Sequence, residues 1–246
     1  MRLPRARAQP TDTTLKIEVL PDADGVARRA AAFIADEARS AVQARGRFTL
    51  AVSGGRTPWQ MLRALAGLEL PWSALDLYQV DERVAPAGDG QRNLTHIRES
   101  LLDKVKLPPG QLHAIPVENQ NLAAAAASYA QELEAGAGKP PVIDLVHLGL
   151  GPDGHTASLI PGDAVLEVAN ADVAVAGPYQ GRMRITLTYP ALNRARRILF
   201  LVTGADKADP LRRLCDGDRS IPAGRIDQTR AVLVADRAAA ALIGPA

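Results

Sequence analysis

The sequence predicts a doubly wound, Rossmann-like α/β fold, in which helices cover both faces of a mostly parallel sheet. Apolar strand-like runs alternate with helical patterns along the 246 residues. These runs are apolar at nearly every position, which is typical of strands buried on both faces of a parallel sheet. We see no tandem repeat and no interdomain linker, and the length suits one large domain.

The individual elements follow from these patterns. A long amphipathic helix is predicted where Val26, Phe33 and Val42 mark its apolar face. Strands are predicted at five apolar runs, Phe48–Val52, Leu75–Val80, Ile143–Leu148, Ile198–Val202 and Ala231–Val234. Further helices are predicted at Pro58–Leu68, at Asp206–Leu214 and in an alanine-rich segment from Asp236. The alanine run Ala123–Ala127 is also helical in pattern, and Gly136–Pro141 is predicted to be a surface loop.

Composition excludes several classes of protein. Hydrophobic residues make up 47% of the chain and charged residues 23%, as in ordinary globular proteins. No window approaches the ~18 uncharged apolar residues that a membrane span needs, and Met1–Thr14 lacks the apolar core of a secretory signal. The single cysteine, Cys215, excludes a disulfide framework and a cysteine-rich metal site. We therefore expect a cytoplasmic protein.

The formal net charge of +2 depends on an arginine-containing tail. Arg2, Arg5 and Arg7 precede the first acidic residue, and without them acidic residues slightly outnumber basic ones. No dense basic run indicates a nucleic-acid-binding face. We expect residues 1–13 to be a disordered extension, with a transit peptide as the alternative, and residues 14–246 to form a single α/β domain.

Polar, glycine-containing loops follow four of the predicted strands. They are Ser53–Thr57, Asp81–Arg83, Gly149–Thr156 and Thr203–Lys207. Ligands of open parallel sheets bind outside the carboxyl ends of the strands. The concentration of Asp, Arg, His and Lys at this one edge therefore predicts a ligand site.

The loop at Ser53–Thr57 has the components of a phosphate cradle. Gly54 and Gly55 permit positive φ and close backbone approach, and Pro58 suits the first turn of a helix. Free amides at that helix start would face an anion, with hydroxyl donors from Ser53 and Thr57. A well-capped strand–helix turn is an equally good interpretation, and the run is neither a Walker loop nor a dinucleotide fingerprint.

The loop GPDGHTAS places Asp153 two residues before His155. A histidine beside a carboxylate can take a proton from water near neutral pH, although a loop histidine with a capping aspartate gives the same pattern. His147 is predicted to be packed within its strand. His96 and His113, in a helix and a loop, lack convergent partners and are predicted to be structural or solvated. No three-ligand metal site is therefore expected.

Three cations are candidates for anion binding. Arg83 follows two acids, and neighbouring carboxylates would hold its guanidinium as a fixed fork, unless it forms a plain surface salt bridge. Lys207 stands at a helix start, where the dipole disfavours a cation and a bound anion would relieve the conflict. Arg184 opens the strand Arg184–Thr188 and is either a ligand contact or an edge-strand charge.

Taken together, these segments resemble the 6-phosphogluconolactonases. The segments that match are Ser53–Pro58, Val80–Arg83 with Asn93, Gly149–Gly162, Arg184–Asn193 and Thr203–Leu211. The resemblance extends from about Leu15 to Ala240, and DGHTAS followed by Pro-Gly is its most specific part. It implies a doubly wound domain without metal or organic cofactor that opens 6-phospho-D-glucono-1,5-lactone in the oxidative pentose phosphate pathway.

The resemblance also implies roles for individual residues. His155 would take a proton from the attacking water, Asp153 would orient either the loop or the imidazole, and Arg83 would stabilise the oxyanion. The residues expected to bind the phosphate and the rest of the substrate are Ser53, Gly54, Gly55, Arg56, Thr57, Asp81, Asn93, Gly151, Arg184 and Lys207. The expected partner is a phosphorylated sugar lactone, without nucleic acid or membrane, and the oligomeric state stays open.

Two alternatives share the fold. A glucosamine-6-phosphate isomerase/deaminase resembles this chain at the SGG and DGH loops, but would have an aromatic residue at Arg83 and Asn-Glu-Pro-Gly in place of Thr156–Gly162. A non-catalytic sugar-phosphate sensor would carry a DNA-binding helix-turn-helix. Two positions depart from the lactonase pattern. Arg92 stands where a serine is usual, and Tyr78-Gln79 stands where larger apolar residues are usual.

Overall fold

The computed structural model describes residues 15–244, and its strands form two sheets. In chain order the strands are β1 (Lys16–Leu20), β2 (Phe48–Val52), β3 (Leu75–Gln79), β4 (Asp81–Arg83), β5 (Leu112–His113), β6 (Leu145–Gly149), β7 (Val173–Tyr179), β8 (Arg182–Leu187), β9 (Arg197–Val202) and β10 (Ala231–Asp236). The main sheet has the order β1-β10-β9-β6-β2-β3-β5, and all its pairs are parallel. A small antiparallel sheet has the order β4-β8-β7.

Helices pack on both faces of the main sheet. In chain order they are α1 (Ala23–Arg45), α2 (Arg56–Ala66), α3 (Asn93–Ser100), α4 (Leu122–Ala137), α5 (Tyr189–Arg194) and α6 (Ala208–Cys215). The apolar faces of α1, α2 and α3 belong to one buried cluster, and those of α4, α5 and α6 belong to another. This arrangement confirms the doubly wound α/β fold, because each face of the parallel sheet has its own core.

Local sequence features explain where the first helix begins and ends. The side chain of Asp22 accepts a hydrogen bond from the Gly25 amide at 2.8 Å and caps the start of α1. Gly46 ends the helix with a φ of 76°, a conformation that glycine adopts without steric cost. The buried positions between these caps, including Val26 and Ile34, recur at helical spacing and face the sheet.

All five predicted strands are present, but the helix predicted from Asp236 is wrong. Strand β10 continues through Asp236, which pairs with Leu20 of β1. The Asp236 carboxylate then accepts hydrogen bonds from the Gly204 and Ala239 amides, and only a short 3₁₀ turn, Ala239–Leu242, follows. Helix α6 likewise begins at Ala208, after a 3₁₀ turn, and not at Asp206.

The small sheet contains the strand that was predicted at Arg184–Thr188, and it adds β4 and β7 to that strand. That strand starts at Arg182, two residues before the predicted start at Arg184, and forms a hairpin with β7. The hairpin turn contains Gln180 and Gly181, both with positive φ, as a two-residue type I′ turn requires. Strand β7 has no simple sequence signal, because Gly177 and Pro178 interrupt it.

Two further differences concern the connecting segments. His113 lies in the short strand β5 and not in a loop. Helix α4 extends to Ala137, so that only the later part of the predicted loop Gly136–Pro141 is non-helical. None of the helices within residues 15–244 is long and apolar enough to span a membrane. The predicted extension, residues 1–13, lies outside the described residues.

Candidate active site

A cleft of about 310 Å³ opens at the carboxyl ends of β2, β6 and β9. The residues proposed from the sequence that line it are Ser53, Gly54, Gly55, Arg56, Thr57, Asp81, Arg83, Asn93, Gly151, His155, Arg184 and Lys207. Asp153 lies behind His155 and does not line the cleft. A larger cavity of about 650 Å³ lies between α4 and β7, but its wall consists largely of alanines and contains none of the proposed residues.

Asp153 and His155 form a hydrogen-bonded pair. The Nδ1 atom of His155 lies 2.6 Å from Oδ1 of Asp153, and the same oxygen accepts the His155 backbone amide at 3.1 Å. Asp153 therefore orients both the loop and the imidazole, the two roles that the sequence left open. Burial tends to raise the pKa of Asp153, but the charge and hydrogen bonds of His155 outweigh burial and lower this pKa. An ionised Asp153 places the proton on Nδ1 and leaves Nε2 of His155 to accept another.

The turn that carries this pair requires glycine at two positions. A Cβ atom on Gly151 would lie 2.1 Å from Nδ1 of His155. Gly154 has a φ of 82°, and a Cβ there would lie 2.6 Å from Cβ of Ile221. The Thr156 hydroxyl donates to the Gly149 carbonyl at 2.8 Å and ties the end of the loop to its start. These glycines let the loop fold tightly enough to bring Asp153 against His155.

Tyr179 also contacts the pair, and the sequence did not reveal it. Its hydroxyl donates to Oδ2 of Asp153 at 3.3 Å, and its ring meets that of His155 edge-on at a centroid distance of 5.4 Å. The guanidinium of Arg184 lies over the same ring, 5.1 Å from its centroid. No local pattern signals these contacts, because they arise only when the β7–β8 hairpin packs beside the loop after β6.

The loop after β2 combines an open helix start with a close contact to α3. Gly55 has a φ of 127° and precedes α2 without a capping side chain, so that the first amides of α2 keep no side-chain acceptor. A Cβ atom on Gly54 would lie 1.9 Å from Oδ1 of Asn93. The Thr57 hydroxyl lies 2.6 Å from that of Thr203 and joins this loop to the one after β9. The helix start therefore suits an anion.

The interactions of Ser53 differ from those expected. Its hydroxyl donates to the His147 carbonyl at 3.0 Å, and its amide donates to Nδ1 of His147 at 3.2 Å. The donor expected to meet a ligand is thus engaged within the protein. His147 is fully buried, as predicted, and burial lowers its pKa to about 3. The neutral imidazole accepts the Ser53 amide and thereby fixes the start of the loop after β2.

Arg83 and Arg184 are register partners on the antiparallel strands β4 and β8. The guanidinium of Arg83 donates to the Gln91 carbonyl at 2.7 Å and not to a neighbouring carboxylate, so the expected carboxylate fork is wrong. Arg184 is 4% exposed, and its Nε atom is buried without a hydrogen-bond partner. Burial lowers the pKa of Arg184, Asp81 opposes this effect, and Arg83 adds to it. Two closely placed cations therefore border the cleft.

The Glu82 carboxylate explains why Arg83 is not held by its neighbours. It accepts the backbone amides of Arg83, Asn93 and Leu94, each at 2.8 Å, and thereby caps α3. Gln79 also donates to Glu82 at 2.8 Å. Glu82 is fully buried, and this burial favours saturation of its carboxylate by internal donors.

The unusual residues Arg92 and Gln79 belong to the same buried network. Arg92 is 2% exposed, forms an ion pair with Glu118, and places Nε 3.7 Å from the Glu82 carboxylate. The Gln79 side-chain oxygen accepts the Ile115 amide at 3.0 Å. Arg92 and Gln79, which depart from the lactonase pattern, thus contact the Glu82 carboxylate that caps α3. Neither of them lines the cleft.

Asp81 and Asn93 provide acceptors on the cleft wall. Oδ2 of Asp81 accepts the Ser158 hydroxyl at 2.7 Å, and the side-chain amide of Asn93 donates to the Asp81 backbone carbonyl at 2.9 Å. Oδ1 of Asn93 is buried and has no protein donor. This oxygen packs against Gly54, where a Cβ atom would lie 1.9 Å from it.

Lys207 lines the cleft but does not lack a partner. Its Nζ atom lies 3.0 Å from Oδ2 of Asp206 at the start of α6. The conflict with the helix dipole is therefore relieved in part by an acid that the sequence places directly beside it. The location at the cleft agrees with the prediction, while the expectation that only an anion would compensate Lys207 is wrong.

The remaining predicted histidines lie away from the cleft. His113 lies between Glu132, at 2.8 Å, and Asp76, at 3.2 Å, so the prediction that it lacks partners is wrong. Nε2 of His96 donates to the Gly90 carbonyl at 2.8 Å, and its ring stacks on Trp59. Within residues 15–244, no three His, Cys, Asp or Glu side chains are placed to hold a metal ion.

Comparison with known proteins identifies relatives of this chain. The family model of glucosamine-6-phosphate isomerases/6-phosphogluconolactonase matches residues 21–235. A 6-phosphogluconolactonase of Streptomyces coelicolor is 37% identical, with 92% of this chain and 94% of the relative covered. One of Nostoc is 38% identical, with coverage of 79% and 82%.

Solved structures show the same fold. The crystal structure of 6-phosphogluconolactonase from Thermotoga maritima superposes with a TM-score of 0.81, at 27% identity and with coverage of 90% and 99%. A monomeric glucosamine-6-phosphate deaminase has a TM-score of 0.80 at 19% identity, with coverage of 93% and 100%, and shares the fold alone.

Proposed function

The chain belongs to the family of glucosamine-6-phosphate isomerases and 6-phosphogluconolactonases, and within it we propose that the chain hydrolyses 6-phospho-D-glucono-1,5-lactone to 6-phospho-D-gluconate. Family membership confirms the resemblance found in the sequence. The observation that carries the proposal is the Asp153–His155 pair, because it supplies a proton acceptor in a cleft bordered by cations. The reaction belongs to the oxidative pentose phosphate pathway.

His155 acts on water in this proposal. Its Nε2 removes a proton as the water oxygen attacks C1 of the lactone, and the carbonyl electrons move onto the exocyclic oxygen. Arg83 stabilises this oxyanion. When the tetrahedral intermediate collapses, the bond from C1 to the ring oxygen breaks, and protonated His155 returns its proton to that oxygen.

The phosphate occupies the opposite part of the cleft. The amides at Gly54–Thr57 and the side chains of Arg56 and Thr57 bind it together with Lys207, and Arg184 adds charge from the small sheet. Ser53 shapes this loop, because its own donors are engaged by His147. Gly151, Asp81 and Asn93 contact the sugar between the two ends. This anchor holds C1 beside His155 and converts hydrolysis into a positioned reaction.

No covalent intermediate is needed. The Ser53 hydroxyl donates to a backbone carbonyl, that of His147, which is not a base. Ser158 donates to Asp81, but it is fully buried and does not line the cleft. Sugar lactones already hydrolyse in water, and a single positioned base is sufficient. The proposed chemistry uses no metal and no organic cofactor.

The deaminase is the second candidate function. The cleft supports a lactonase better, because Arg83 provides a cation where the deaminase pattern would have an aromatic residue. The curated relatives at 35–38% identity are likewise described as lactonases, one of them as probable. We also propose that the protein acts in the cytoplasm, where a phosphorylated sugar lactone is its small-molecule partner.

Proton release during lactone opening tests the function. Purified protein dialysed against EDTA is mixed with fresh phosphorylated lactone near neutral pH, and the uncatalysed rate is subtracted. We expect rapid hydrolysis that added zinc does not increase. Release of ammonia from glucosamine 6-phosphate, without lactone opening, would establish the deaminase instead.

A further inference from the structure

We infer that Tyr179 is a positioning residue that holds both the Asp153–His155 pair and Arg184 in place for the proposed hydrolysis. This inference rests on the proposed function and adds a residue that lies outside the loops at the carboxyl ends of the parallel strands. Tyr179 belongs to β7 of the small sheet, and its side chain is half-buried.

The hydroxyl of Tyr179 completes the coordination of Asp153. Oδ1 of Asp153 accepts the two nitrogen donors of His155, and Oδ2 accepts the Tyr179 hydroxyl at 3.3 Å. Both carboxylate oxygens are therefore fixed, and rotation about the Asp153 side chain would break at least one contact. Burial, with the charge of Asp153, raises the pKa of Tyr179, so the hydroxyl stays a neutral donor.

The ring of Tyr179 separates the proposed base from a cation. One contact is the edge-on packing with His155, at 5.4 Å and an interplanar angle of 67°. The other is the Arg184 guanidinium at 5.1 Å, which is within the range of cation–π attraction. Tyr179 thereby sets the spacing between the proposed proton acceptor and the buried Arg184, because it contacts both.

The hairpin tip keeps Tyr179 in this position. Tyr179 pairs with Arg182 across the two-residue turn, after a register shift from Ala176. The Gly177 amide donates to Asp163 at 2.7 Å and fixes the irregular part of β7. The side chain is thus presented by a closed hairpin and not by a free loop end.

Removal of the hydroxyl alone tests the contact with Asp153. In Tyr179→Phe the ring stays, and we expect kcat to fall about 3- to 10-fold, the effect of one lost hydrogen bond, with KM within twofold. Tyr189→Phe is a matched control. Its hydroxyl donates to the Pro222 carbonyl at 3.0 Å, and the Arg225 guanidinium lies 5.9 Å from its ring, so these contacts involve neither Asp153 nor His155. The control should keep the wild-type kcat.

A double-mutant cycle separates positioning from general destabilisation. If the hydroxyl acts through Asp153, Tyr179→Phe should change kcat less than twofold in an Asp153→Asn background. Tyr179→Leu, which also removes the ring from Arg184, should raise KM in addition to lowering kcat. Equal, multiplicative losses in both backgrounds, or a Tyr179→Phe enzyme with wild-type kcat, would overturn the inference.

One measurement is independent of turnover. The ¹⁵N NMR signal of His155 Nδ1 reports its hydrogen bond to Asp153, and it should shift in Tyr179→Phe but not in Tyr189→Phe. A wild-type protein that fails to open the lactone contradicts the proposed function, and the NMR comparison still decides the contact. An unchanged His155 signal in Tyr179→Phe contradicts the positioning role even if the lactone is hydrolysed.

Discussion

Arg83 and Arg184 lie directly opposite each other on strands β4 and β8, at the edge of the cleft. The Arg83 guanidinium donates to the Gln91 carbonyl, and Nε of Arg184 is buried without a hydrogen-bond partner among residues 15–244. Like charges in directly opposed cross-strand positions destabilise a sheet. We therefore expect an anion in the cleft to relieve this repulsion and to stabilise the folded protein.

Replacement of Arg184 tests this expectation. Arg184→Gln should raise the free energy of unfolding of the ligand-free protein by about 0.2–1 kcal/mol, because one of two opposed charges is removed. Product at about 100 times its Kd should stabilise the wild type by about 2.7 kcal/mol, or roughly 5–10 °C in Tm for a chain of this size. At the same product concentration, this increase in Tm should be smaller in Arg184→Gln.

Calorimetry with and without 6-phosphogluconate measures both effects. Arg225→Gln serves as the control, because Arg225 pairs with Glu167 outside the cleft. That variant should keep the full ligand-induced shift. An Arg184→Gln protein with an unchanged shift would exclude Arg184 from the ligand site.

His155→Ala tests the proposed general base. We expect kcat to fall by roughly 10²–10⁴-fold, the usual effect of a lost acid–base group. Product binding, measured as the ligand-induced shift in Tm, should remain, because the cations that bind the anion are intact. A variant within threefold of the wild-type kcat would end the assignment.

Lys207→Ala tests the phosphate end of the cleft. A charge-assisted contact is worth about 1.5–3 kcal/mol, so kcat/KM for the phosphorylated lactone should fall roughly 10- to 150-fold. The rate of hydrolysis of unphosphorylated gluconolactone should change little, because that substrate has no phosphate for Lys207 to contact. Equal slowing of both lactones would place Lys207 at the carbonyl or in folding.

The parts of the site that the sequence predicted are those encoded locally. The run Phe48–Val52 is apolar throughout and is a buried strand with the predicted bounds. The loop with Asp153 and His155 follows such a strand, so its place at the sheet edge could be inferred. Tyr179 could not, because its contact with Asp153 spans 26 residues and depends on the hairpin.

Charged residues were harder to predict than strands. Glu82 was expected to hold Arg83, but backbone amides of α3 compete for the same carboxylate and satisfy it. A bound anion was expected to compensate Lys207 at its helix start, but Asp206 beside it provides a carboxylate. In both cases the sequence shows which charges are adjacent, while the folded chain decides which donor or carboxylate each one meets.

The buried His147 should make the protein sensitive to acid. Its folded-state pKa of about 3 is below the 6.5 of an unfolded histidine, because burial disfavours the imidazolium. Between these values only the unfolded chain binds the proton, so stability falls as pH falls below about 6.5. At pH 5 the loss relative to pH 8 is about 2 kcal/mol from this group.

His147→Asn removes this titration while it keeps a side-chain oxygen to accept the Ser53 amide. Urea unfolding at pH 8 and pH 5 should show that the difference between the two free energies is about 2 kcal/mol smaller in this variant. His96→Asn is the control, because it leaves His147 in place and should keep the contribution of about 2 kcal/mol from that residue. A His147→Asn protein with the wild-type pH dependence would mean that His147 becomes protonated in the folded state, and the neutral acceptor beneath Ser53 would then be excluded.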